Sequence, residues 1–144
     1  MPEWLNSGIH QYQKQFPSSY NFTLTSLEAQ NRKTNKIDRI KTLEGNMLLE
    51  AAKGSTKLID FDELGKQQSS RMSAKSIETW QLHGDNVALI IGGADGLSSE
   101  LKQQCHYILG LSNLTMAHSI ARLLVIEQLY RAHTLLTNHP YHRE

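Results

Sequence analysis

An α/β domain with a parallel sheet flanked by helices is the fold class this sequence predicts, and three observations predict it. Segments with helical spacing of apolar residues alternate with short strand-like runs along the chain. The run Val87 to Ile91 is apolar throughout, as a strand buried on both faces must be. That run ends in the turn Gly92-Gly93-Ala94-Asp95-Gly96, the place where open α/β sheets hold their ligands. With 144 residues, 39% of them hydrophobic, the chain fills one core, so a single domain over 1–144 is expected.

Each element has a local reason. Pro2 precedes Trp4, Leu5, Ile9, Tyr12 and Phe16, a helical spacing with proline in the first turn, and this helix is expected to end near Phe16-Pro17. Residues 20–27 alternate Phe22 and Leu24 with Thr23 and Thr25, the pattern of a half-buried strand before the polar loop 30–35. A second helix follows through Ile37, Ile40, Leu43, Met47, Leu48 and Ala51, stopped at Lys53-Gly54. Lys57 to Phe61 reads as a short strand. Ser69-Ser70 opens a third helix (Met72, Ala74, Ile77, Trp80, Leu82) closed by His83-Gly84. After the strand at 87–91, another helix starts beyond Ser98-Ser99-Glu100, and Ile120 to Leu136 forms the longest helical pattern.

The formal charge of +1 excludes tight nucleic-acid binding by the field of the whole chain. Charge is nonetheless segregated. Residues 29–57 carry seven basic groups against three acids (Arg32, Lys33, Lys36, Arg39 and Lys41 among them), whereas 58–100 carry three against seven. Any polyanion contact is therefore local, and the stretch from Arg32 to Lys41 is either a solvated face or a phosphate-tracking one. The single cysteine, Cys105, rules out an intramolecular disulfide and a four-cysteine zinc site and fits a reducing, cytoplasmic compartment. No apolar run has the length of a membrane span, so no membrane partner is expected.

The glycine turn matches neither dinucleotide nor mononucleotide fingerprints, because its spacing is not G-x-G-x-x-G and no G-x-x-x-x-G-K-[ST] is present. Asp95 would repel a pyrophosphate but tolerates a phosphate-free adenosine ligand with a cationic centre. The final helix carries more than one apolar stripe (Ile120, Leu123, Leu124, Ile126, Leu129, Leu135), so it is either deeply buried or shared with a second copy, and a homodimer is the favoured expectation. The chain closes on Asn138-His139-Pro140-Tyr141-His142-Arg143-Glu144, either a polar tail without a role or a set of proton donors, acceptors and a guanidinium. His133, His139 and His142 match no standard metal spacing, and no metal is expected.

Four ordered blocks together resemble the RlmH family of SPOUT-class methyltransferases: residues 90–97, Leu111-Ser112-Asn113-Leu114-Thr115-Met116-Ala117-His118, residues 121–132, and the ending His139-Pro140-Tyr141-His142-Arg143-Glu144. The resemblance implies a SPOUT-type α/β fold with a carboxyl-terminal trefoil knot, acting as a homodimer. It implies S-adenosylmethionine-dependent methylation of ring nitrogen 3 of a pseudouridine in 23S ribosomal RNA, on assembled ribosomes. By the same resemblance, Phe61, Gly92 and the loop Leu111, Ser112, Asn113, Leu114, Thr115 and Met116 hold the methyl donor, and Arg131, Tyr141, His142 and Arg143 reach toward the RNA and the reaction centre.

Removal of the ring-nitrogen proton would be served by a base such as His142, or by cations such as Arg131 and Arg143 that stabilise the developing anion. The sulfonium donor is already activated, so neither a metal nor a covalent intermediate is required. Family members begin with a short strand ahead of the Met-Pro-x-Trp segment, so the resemblance also implies a sheet lacking its usual first strand. Ala117 stands where a proline is usual, Phe61 where a smaller aliphatic is common, and Arg71 where many members carry an acid. The competing reading is a ribosome- or RNA-binding relative without catalysis, which donor-dependent thermal stabilisation separates from an enzyme.

Overall fold

Three parallel strands form the sheet in a computed structural model of the chain, which describes residues 2–27, 30–31, 33–92 and 95–141. Strand β1 (Lys57–Gln67) lies between β2 (Val87–Ile91) and β3 (Tyr107–Gly110). Lys57 to Phe61 pair in order with Val87 to Ile91, and Ile59 to Phe61 pair with Tyr107 to Leu109. The chain divides into two compact units. A sheet unit comprises Thr25–Gln67 and Asp85–Leu114, and a helical unit comprises Met1–Leu24, Gln68–Gly84 and Thr115–Glu144.

In the sheet unit, helix α2 (Ile37–Ala51) contributes Leu48 and Leu49, and the short helix α4 (Ser99–Gln104) contributes Leu101, to a cluster with Leu58, Ile90, Leu97 and Cys105. Helix α4 starts where Ser98 Oγ accepts the Leu101 N–H, satisfying one of the donors that a first helical turn leaves without a partner. Strand β1 runs well past the expected Phe61 because its register breaks. Both Phe61 and Lys66 lie opposite Leu109, and the intervening excursion leaves Leu64 93% exposed. Gly65 permits the return: a Cβ there would lie 2.3 Å from the Leu109 carbonyl carbon. Strand β3, absent from the sequence-based expectation, spans only four residues and has no periodic signal of its own.

In the helical unit, α1 (Glu3–Gln15), α3 (Ser70–Leu82) and α5 (His118–Thr137) occupy the expected positions. Leu5, Ile9 and Phe16 pack with Ile126 and Tyr130 of α5, while Ala74 and Ile77 of α3 meet Ala132 on the same helix. Helix α5 is therefore apolar around much of its circumference because it serves two clusters. The strand expected over 20–27 does not form. A 3-10 turn at Ser18–Tyr20 and a left-handed Asn21 lead instead into irregular chain, and Phe22 stacks on Phe16 with centroids 5.0 Å apart. Its alternating pattern reflects docking into an aromatic cluster, where no ladder partner is required. Among the described residues, no helix is long and apolar enough to cross a membrane.

Candidate active site

Parallel pairing places the carboxyl-terminal ends of all three strands together. Phe61 lies opposite Ile91 on one side and Leu109 on the other, so Gly92 and the Gly110-Leu111 pair leave the sheet beside it. Phe61, Gly92, Leu111 and Ser112 are half-buried, while Asn113 and Leu114 are exposed. The loop after β3 is tied down twice. Gln67 Nε2 donates to Asn113 Oδ1, and the Leu114 N–H donates to Ser112 Oγ at 3.0 Å. Thr115 and Met116 continue this segment within the helical unit, Thr115 exposed and Met116 half-buried.

The glycine turn works differently from a ligand cradle at its first position. A Cβ on Gly92 would lie 2.8 Å from Leu97 Cδ2 and 3.2 Å from the Gly96 carbonyl carbon, so the turn's own packing demands glycine. Gly96, at φ 77°, supplies the left-handed residue that reverses the chain before Ser98. Gly93 and Ala94 lie outside the described residues. No charged side chain occurs among Phe61, Gly92 and residues 111–116 themselves, and the acids Asp60 and Asp62 flank Phe61 in sequence. This donor set suits a neutral adenosine with a cationic centre and offers nothing to a pyrophosphate, so it fits S-adenosylmethionine.

An unexpected group lies one residue before Phe61. Asp60 is 1% exposed, and neither of its carboxylate oxygens has a hydrogen-bond partner. Burial, reinforced by the charge of Asp62 and opposed by Lys102, pushes it up to about 6. Asp62 behaves oppositely. Burial raises it, but the Leu64 N–H, the Lys102 ammonium at 3.0 Å and Lys41 outweigh that and hold it below the usual carboxylate range. Burial, reinforced by the charge of Asp60 and opposed by Lys102, raises the Cys105 thiol, and the residue packs against the cluster of Ile90, Leu97 and Leu101. The sequence offered no signal for Asp60 beyond an acid inside an apolar run.

The second group of expected residues meets in the helical unit. Arg131 donates from Nε and Nη2 to Glu127 Oε1 at 3.0 and 2.7 Å, and its guanidinium carbon lies 5.3 Å from the Tyr141 ring centroid. Tyr141 Oη donates to Glu127 Oε1 at 3.1 Å and accepts from Tyr12 Oη at 2.9 Å, while its ring packs edge-on against Tyr130. Burial, the Tyr12 hydrogen bond and the Glu127 charge drive the Tyr141 phenol far above its ordinary range, so it is a hydrogen-bond donor and not a base. Arg131 and Tyr141 are thus brought together around Glu127. His142 and Arg143 lie outside the described residues. Glu127 and Tyr12 were missed, although the four-residue spacing of Glu127 and Arg131 was a readable cue for an ion pair on one helix.

His133 and His139 do not join this group as metal ligands. His133 Nδ1 shares a 2.8 Å hydrogen bond with Tyr20 Oη, and burial with the neighbouring His139 lowers its proton affinity. Among the described residues, no cluster of His, Cys, Asp or Glu has metal-binding geometry.

Comparison with known proteins covers essentially the whole chain. A family model described as "Predicted SPOUT methyltransferase" matches residues 1–142. A protein of Dechloromonas aromatica (strain RCB) is 41% identical over 143 residues, covering 99% of this chain and 92% of its own. A second, from Teredinibacter turnerae (strain ATCC 39867 / T7901), is 42% identical over 147 residues, covering 99% and 93%. A third, from Hydrogenovibrio crunogenus (strain DSM 25203 / XCL-2), is 39% identical over 145 residues, covering 100% and 93%. Each of the three is named "Ribosomal RNA large subunit methyltransferase H". The chain is a member of the SPOUT methyltransferase family.

Proposed function

We propose that this SPOUT-family enzyme transfers a methyl group from S-adenosylmethionine to ring nitrogen 3 of a pseudouridine in large-subunit ribosomal RNA, acting on assembled ribosomes in the cytoplasm. The observation that carries the reading is relatedness along essentially the whole chain to three proteins named as large-subunit ribosomal RNA methyltransferases. The proposal extends to a carboxyl-terminal trefoil knot, and the test below includes the additional strand that family members carry ahead of the Met-Pro-x-Trp segment. It also includes a homodimer. Large apolar side chains exposed on the helical unit, Trp4 at 52%, Leu82 at 79% and Ile120 at 41%, support a second copy covering them.

In this reading, Phe61, Gly92 and residues 111–116 hold the methyl donor, and Gln67 braces the loop through Asn113. The donor supplies an activated methyl group on a sulfonium centre. The target nitrogen must lose its proton, and the His142 imidazole is the group of the tail that would accept it. Arg131 and Arg143 supply cations that stabilise the developing ring anion or hold a phosphate. Tyr141 stays neutral and fixes the tail through its hydroxyl. Exposed Lys33, Lys36 and Arg39 at the start of α2 provide local phosphate contacts, with the ribosome supplying the rest of the docking surface.

The test is methyl transfer from labelled S-adenosylmethionine to ribosomes that carry the pseudouridine without its methyl group. This chain and a form extended by the additional strand are compared. Label at ring nitrogen 3 with either form supports the reading, and activity confined to the extended form makes the extra strand part of the working sheet. Silence in both, with folded dimers, replaces the enzyme with an RNA-binding relative. Donor binding gives an independent readout, since a ligand at a hundred times its Kd adds about 2.7 kcal/mol of stability.

A further inference from the structure

We infer that Glu127 is a positioning residue for methyl transfer, acting as the clamp that fixes Arg131 and Tyr141 in one arrangement. The inference rests on the proposed reaction and adds a residue to which no chemical role has been given. Its basis is the convergence of hydrogen bonds on one carboxylate. Oε1 accepts two N–H donors from Arg131 and the hydroxyl of Tyr141, and Oε2 accepts from Gln128 Nε2 at 2.7 Å. Gln128 is itself held: its Oε1 accepts from Ser70 Oγ at 2.6 Å, at the first residue of α3.

Chemistry argues for positioning and against direct action. The Glu127 side chain is 15% exposed, and both of its oxygens are engaged, so it has little room to meet an RNA base. An arginine held by two N–H groups at one edge keeps a fixed guanidinium plane. A tyrosine beyond the end of a helix would ordinarily fray, yet Tyr141 is anchored by its hydroxyl at Glu127 and Tyr12 and by its ring at Tyr130. The clamp thereby sets where the chain leading to His142 and Arg143 begins. Displacement of a positioned group by about 1 Å can cost a hundredfold in rate, which is the scale available to such a residue.

The experiment uses the full chain with Glu127→Ala and Glu127→Gln, each alone and combined with Tyr141→Phe. Three readouts are taken: turnover on undermethylated ribosomes, donor affinity by calorimetry, and release of Tyr141 by a broad-specificity carboxypeptidase followed by mass spectrometry. The expected result for Glu127→Ala is turnover lowered about tenfold to a hundredfold, with donor affinity within roughly twofold and Tyr141 released faster. Glu127→Gln, which keeps an acceptor oxygen but loses the charge, falls between. In the Tyr141→Phe background the turnover effect of Glu127→Ala shrinks, because the two residues act as one unit. Folded variants that match the parent in both turnover and Tyr141 release overturn the clamp, as does full additivity with Tyr141→Phe. Loss of donor affinity equal to the loss of turnover assigns Glu127 to general structure and also overturns it. Parent protein that transfers no methyl group defeats the proposed reaction instead, while carboxypeptidase release still reads the clamp.

Discussion

The sheet unit and the helical unit build their candidate sites from opposite materials. At the strand ends, Phe61, Gly92 and Leu111 are brought together by backbone register, with glycines where chains or turns approach closely. In the helical unit, the same task falls to side chains, since Glu127 gathers Arg131, Tyr141 and Gln128 through hydrogen bonds between 2.7 and 3.1 Å. A backbone site tolerates side-chain change but not added volume. A side-chain site tolerates volume at its rim but not the loss of a polar group. Asp60 sharpens the contrast, because it is a buried acid left without a partner in the unit whose site does not rely on side-chain acids.

The largest expected effect is therefore Gly65→Ala. The new methyl group would meet main-chain atoms of Leu109 and Gly110 at 2.3 to 2.7 Å, which cannot move without parting β1 from β3. Thermal unfolding should show a loss of about 4 kcal/mol or more, whereas an unchanged melting temperature would mean that the strands do not approach this closely. Next is removal of residues 141–144, which should leave donor affinity intact and lower methyl transfer by about a hundredfold or more, the scale of lost acid-base catalysis. A truncated chain with full turnover would reassign chemistry away from the tail.

Asp60→Asn comes third and has a definite sign. A carboxyl pushed up to about 6 from 3.8 binds its proton more tightly in the folded state. Its contribution to stability is present below pH 3.8 and is lost as the pH rises through about 6. Relative to the parent, the asparagine variant should thus gain stability on the order of 2 kcal/mol above pH 7, with the gap closing toward pH 4. Urea midpoints across that range check it, and a gap independent of pH would show that Asp60 is not the titrating group. The smallest effects compare one cap in each unit. Ser69→Ala removes the acceptor for the Met72 N–H and Ser98→Ala that for the Leu101 N–H. Each should cost about 1 kcal/mol, with Ser98 the more costly because it is buried.

Helical spacing made α1, α2, α3 and α5 legible, and an unbroken apolar run did the same for β2, since those patterns are set by which face is buried. The same logic misread residues 20–27, because Phe22 satisfies its apolar face against Phe16 and not against a strand. The extension of β1 and the existence of β3 depend on a break in register near Leu109, a long-range event that no window of sequence contains. For the site, block resemblance supplied the residues, and the structure supplied their physical partners. Glu127 was visible as one half of a four-residue ion pair with Arg131, but its bond to Tyr141 spans fourteen residues and Tyr12 is 129 residues from Tyr141.

That last separation bears on how the molecule is made. The helical unit is assembled from the first, middle and final parts of the chain, and its core joins Leu5, Ile9 and Phe16 to Ile126 and Tyr130. During synthesis at about 5–20 residues per second, α1 emerges early and waits several seconds with its apolar face exposed, until α5 has been made. The sheet unit, drawn only from Thr25–Gln67 and Asp85–Leu114, has all its strands available before α5 is translated. Assembly is thus ordered in time: the strand ends can come together on a nascent chain, whereas the contacts of Tyr141 with Glu127 and Tyr12 wait for α5 and the residues that follow it.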